Sequence, residues 1–221
     1  MQRGHNRQSV FIDDRDRAAF LAMLRDAAQQ CGVAIHAYVL LDAEVRLLAT
    51  PRDAGSLSRL MQSMGRRYVA AFNQRHSRSG TLWAGRFRAG LIDGASLGAD
   101  ALVHVELLPV RTGHVGAAGD WPWSSAAHHL GRVRDPLIVE HPAYWSLGNT
   151  PFERELAHAH RLQEGVSVMN AEGFERALLQ GRAVGSPQFG LEVAERTGLP
   201  MQSRPRGRPK RKLAQQKTVP N

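Results

Sequence analysis

An α+β fold follows from two features of this chain. An apolar, β-rich run, Val33 to Leu41, is followed after a short Asp42-Ala43 turn by a second run, Glu44 to Thr50, which reads as an antiparallel hairpin. On either side of the hairpin lie long segments with apolar residues at helical spacing. Strands and helices are mixed without a regular βαβ alternation, the pattern of an antiparallel sheet with helices packed on it.

The elements follow in order. Asp13-Asp14 can cap a helix to about Gln30, with Phe20, Leu24, Ala27 and Cys31 on one face and Gly32 as its stop. Pro51 ends the hairpin. Gly55-Ser56 opens a helix to about His76, with Leu57, Leu60, Met61, Met64, Tyr68 and Phe72 as its apolar stripe and Arg59, Arg66, Arg67 and Arg75 off it. Leu82 to Ile92 reads as a strand with Arg86 and Arg88 on one face. Ala95 to Leu108 is a predicted helix that Pro109 stops, and Trp121 to Ser125 begins a helical turn with Ser124 or Ser125 as its cap. Asp135 to Gly148 is loop-like; Pro151–Gln163, Asn170–Gln180 and Gln188–Arg196 are short helices. Tyr38 and Tyr68 are expected in the core.

Charge is distributed unevenly. The chain carries 29 Lys and Arg against 20 Asp and Glu, net +9. Seven of the basic residues and none of the acidic ones lie beyond Met201, so the rest is close to neutral at 22 against 20. A basic terminal segment points to a polyanion. Its centre, Pro205-Arg206-Gly207-Arg208-Pro209, resembles an AT-hook. Glycine lets the backbone approach a groove floor, prolines hold the flanks extended, and Arg206 and Arg208 suit the narrow minor groove of A·T-rich duplex. Arg204, Lys210, Arg211 and Lys212 would meet phosphates. The alternative is a solvated polycation that meets any polyanion.

No run approaches the length of a membrane span, and the polar start Met1 to Arg7 is unlike a signal peptide. Cys31 is the one cysteine, which excludes an intramolecular disulfide and points to a reducing, cytoplasmic setting. His128-His129 and His158-His160 are adjacent or alternate pairs whose rings diverge on a helix, so they read as loop or surface residues. Arg66, Arg67, Arg75, Arg78, Arg86 and Arg88, interleaved with Trp83 and Phe87, suit phosphates and stacked bases of single-stranded or hairpin DNA; the other reading is a solvated helix face.

Several stretches together resemble the REP-associated tyrosine transposases, HUH-type single-tyrosine enzymes of insertion-sequence origin. They are Gln2 to Gln8, His36 to Leu40, Gly80 to Phe87, Glu106 to Gly113 and Trp121 to Ser125, in matching order and spacing. The resemblance implies a ferredoxin-like domain over residues 1–131, a helical extension over 132–200 and a basic tail over 201–221. It also implies DNA as partner, a nucleoid-associated location and a monomer or a dimer.

Such enzymes use a divalent metal (Mg²⁺ or Mn²⁺) held by a His-hydrophobic-His pair and a polar residue, with a tyrosine as nucleophile. The corresponding positions here hold Glu44, Arg46, Leu108 and His104. Arginine and leucine offer a metal no lone pair. The expectation is therefore no bound metal cofactor, a Glu44–Arg46 ion pair, and a DNA-binding protein without cleavage activity. The alternatives are a strand transferase using His104 and a remnant that folds poorly. The family's strand before the Gln-Arg-Gly stretch has no counterpart after Met1, which leaves a sheet edge to expect.

Overall fold

Asp13 starts the first helix. Its carboxylate accepts the backbone N–H of Asp16, and α1 (Asp14–Cys31) runs to Gly32, whose φ of 65° supplies the left-handed cap. This is a computed structural model, and it describes residues 1–198. The basic tail, with the hook residues Arg204 to Lys212, lies outside the described residues.

The expected hairpin forms from β2 (Val33–Leu41) and β3 (Glu44–Pro51), with Leu41 opposite Glu44 and Ala34 opposite Thr50. A short strand, β1 (Gln2–Arg3), pairs with β3 through Gln2↔Val45, giving the order β1-β3-β2. Beyond Val45 the outer edge of β3 has no strand alongside it among the described residues.

Alternation along β2 divides the core in two. Tyr38 and Leu40 face α1 and α2 (Ser56–Arg75), whose Phe20, Leu24, Leu60, Met64, Tyr68 and Phe72 are all buried. Tyr68 donates its hydroxyl to the Val10 carbonyl at 2.6 Å, satisfying a group that burial would otherwise leave unpaired. Ala37, Val39 and Leu41 face the opposite side, where α3 (Gly94–Glu106) contributes Leu102 and Val105.

Three local expectations are corrected and a fourth, the cap of α5, is narrowed to one residue. Leu82 to Ile92 is not one strand: Trp83 makes a single bridge to Gly4, and Gly85 at φ 138° turns the chain away. Only β4 (Leu91–Ile92) resumes, paired in parallel with β5 (Ala183–Val184). Pro109 does not end the helical path; it lies in the first turn of a short α4 (Leu108–Arg111), where its missing N–H costs nothing. Of the two candidate caps for α5 (Ala126–His129), the Ser124 hydroxyl accepts the Ala126 N–H at 3.4 Å, while Ser125 makes no side-chain cap because its hydroxyl is used elsewhere. Within the loop from Asp135 to Gly148, Pro142–Trp145 forms a helical turn, α6, started by His141.

The C-terminal helices pack back on α3. Thr150 and Glu153 form a capping box for α7 (Pro151–Glu164), and α8 (Val168–Gln180) follows. Gly90 permits the docking of α8: a Cβ there would stand 2.6 Å from the carbonyl carbon of Ala177. Asp93 caps α3 and also accepts the backbone N–H and hydroxyl of Ser186, which opens α9 (Pro187–Thr197). No helix among the described residues is long and apolar enough to cross a membrane.

Candidate functional site

Three of the four positions singled out by the transposase resemblance come together on one side of the sheet. Glu44 starts β3, and Arg46 follows on the same face, so the two side chains meet: Arg46 Nε donates to Glu44 Oε1 at 2.5 Å. Arg3 donates to the other carboxylate oxygen. Arg46 is 7% exposed, and its Nη1 donates to Oε1 of Glu175 on α8. His104, on α3, lies 3.1 Å from the same Glu175 oxygen through Nε2. Leu108 stands apart, buried in the apolar cluster with Val39, Leu41 and Tyr144.

Arg111 fixes the His104 tautomer. Arginine only donates, so its Nη1, 3.0 Å from His104 Nδ1, makes that nitrogen an acceptor and leaves the proton on Nε2. Burial lowers the imidazole's basicity, which suits a neutral ring. The hydrogen bond from His104, with Arg46 beside it, holds the Glu175 carboxyl down at about 2 despite partial burial. Burial opposes the charge of Arg46, and Glu175 and Glu44 together outweigh it.

The cluster is therefore a closed network. Neither ring nitrogen of His104 keeps a free lone pair. Beside it lies a largely apolar cavity of about 370 Å³, bounded by the edge of β3 and by the Phe87–Ile92 segment, with His36 and His141 at its wall.

The six predicted DNA-contacting arginines of the folded part, Arg66, Arg67, Arg75, Arg78, Arg86 and Arg88, are all exposed, but they differ in their partners. Arg75 is held by Asp13 and Asp16. Arg67 lies 3.5 Å from Asp26, Arg78 contacts Gln8 and the Phe72 ring, and Arg88 donates to the Leu179 carbonyl. Arg66 and Arg86 have no carboxylate partner among the described residues.

A second polar cluster was not foreseen, and it corrects the reading of the histidines. His129 and His158 are not surface residues; both are fully buried. They converge across two helices on Glu106, also fully buried: His129 Nδ1 lies 2.6 Å from Oε1, and His158 Nε2 lies 2.7 Å from Oε2. Ser125 donates its hydroxyl to Oε1 at 2.5 Å. Burial alone would raise the Glu106 carboxyl, but the two facing imidazoles hold it well below the usual range. Divergence within each histidine pair was the wrong test, since the convergence is between pairs. The available signal was Glu106 itself, a carboxylate closing the apolar run Ala101-Leu102-Val103-His104-Val105, where an ion needs a partner.

No family model matches the chain, and neither curated proteins nor solved structures give a significant match.

Proposed function

We propose that this chain is a DNA-binding protein of the single-tyrosine transposase type whose cleavage centre no longer acts. The carrying observation is the sharing of Glu175 by Arg46 and His104: with Arg111 on its other nitrogen, His104 has no lone pair to attack phosphorus. A metal is equally unsupported at this place, because Arg46 occupies the middle of the network as a permanent cation.

The ferredoxin-like reading draws support from the strand order β1-β3-β2, with the Gly4–Trp83 bridge on the free side of β1 and α1 and α2 on one face. Arg66 and Arg86, which carry uncompensated charge, support a nucleic-acid partner for the folded part. The A·T-rich duplex is the partner inferred for the tail, and a nucleoid-associated location goes with both.

The test pairs binding with chemistry. Hairpin single-stranded DNA is incubated with the protein and Mg²⁺ or Mn²⁺, and anisotropy and denaturing gels are read together. The expected result is binding without nicks or covalent adducts. Cleavage that disappears in His104→Ala, or no DNA binding at moderate salt, overturns the proposal.

A further inference from the structure

Glu106 presents a problem of charge. It ends α3 with no exposure to solvent, and no Arg or Lys bonds to it among the described residues. Its partners are a hydroxyl and two imidazoles. With both rings neutral, a buried anion goes uncompensated, which is costly. The outer ring nitrogens, His129 Nε2 and His158 Nδ1, are buried with no hydrogen-bond partner.

The donors come from three separate helices, α3, α5 and α7, and one ligand atom from each lies within 4.8 Å of the others. Two imidazoles and a carboxylate form a recurring zinc donor set. We propose that Glu106, His129 and His158 form a structural zinc site that fastens α5 and α7 to the end of α3. Each neutral imidazole keeps one proton, shifted to its outer nitrogen, and turns the inner lone pair to the ion; no proton leaves the protein. The inner atoms, now 2.6 and 2.7 Å apart, are at hydrogen-bonding distance. Around a tetrahedral ion with bonds of about 2.0–2.1 Å they would separate to roughly 3.3 Å. Ser125 stays on Oε1 and orients the carboxylate, as outer groups do around bound metals. Complete burial leaves no position for a substrate, so the role is structural.

The full chain is stripped with a chelator and titrated with Co²⁺, then with Zn²⁺. One Co²⁺ per chain, giving a visible d–d absorption band and displaced by Zn²⁺, is expected, together with a higher Tm in zinc. His129→Gln and His158→Gln should each lose the band. No cobalt band and no zinc-dependent Tm shift in the parent overturns the proposal in favour of a purely proton-mediated clasp; a band surviving in both variants overturns it too. X-ray absorption at the zinc edge needs no variant. It should give imidazole nitrogen and oxygen neighbours at about 2.0–2.1 Å, and a shell without imidazole rules the site out.

Discussion

Arg46 and His104 share one acceptor, Oε1 of Glu175, so a strand residue and a helix residue 58 positions later in the sequence are joined through a third element, α8. The carboxyl of Glu175 titrates at about 2, against an ordinary 4.5. A depressed carboxyl stabilises the fold above its unfolded pKa and loses that contribution as pH falls through the folded one. Glu175→Gln should therefore lower Tm at neutral pH. The gap between parent and variant should stay constant down to about pH 4.5, then close toward pH 2. A gap independent of pH would mean that the carboxylate's charge is not what binds α8.

The arginines should divide by their partners. Arg66→Ala with Arg86→Ala removes two cations without carboxylate partners. It should weaken hairpin DNA binding and flatten the log–log salt slope by about 1 to 2 units while leaving Tm nearly unchanged. Arg75→Ala should do the reverse, since Asp13 and Asp16 hold that side chain. Tm should fall, and DNA affinity should change little. A loss of affinity per cation in Arg75→Ala equal to that in the double variant would point to a diffuse charge effect.

Two glycines should respond with opposite sign. Gly65 lies inside α2 with open space where a Cβ would go, so Gly65→Ala should stabilise by about 0.5–1 kcal/mol through helix propensity. At Gly90 a Cβ would meet the backbone of Ala177, which cannot swing aside as a side chain can. Gly90→Ala should destabilise by about 1–3 kcal/mol, as overpacking does. Urea unfolding of both variants checks the pair. A neutral Gly90→Ala would mean that α8 is not seated against this segment.

The legible parts of the fold were those with a strong local period. The α1 and α2 stripes, the Gly32 stop and the β2–β3 hairpin stand where spacing put them, because each buries one continuous face. The Glu44–Arg46 pair was also readable, from period-two alternation on one strand. Glu175 was not readable, since its partners lie 129 and 71 residues away and its helix carries no signal of what it docks on. The failure at Leu82–Ile92 has a local cause. Apolar content suggested a strand, while Gly85 and Gly90 were serving a turn and a close approach. At His129 and His158 the intrahelical geometry was right and irrelevant, because the partner is on α3.

The tail beyond Met201 offers a prediction that rests on sequence alone. Deleting residues 201–221 removes seven cations. If roughly four to six meet phosphates, the salt slope for duplex binding should flatten by about 4 to 5 units. Arg206→Ala with Arg208→Ala should act differently. Those two are the proposed groove readers, so the double change should erase a preference for A·T-rich over G·C-rich duplex. Generic binding through Lys210, Arg211 and Lys212 should remain. Minor-groove readout separates little beyond A·T from G·C, so no finer preference is expected. Anisotropy titrations on the two duplexes at several salt concentrations measure both effects. Equal binding of the two duplexes by the parent would reduce the hook to a plain polycation.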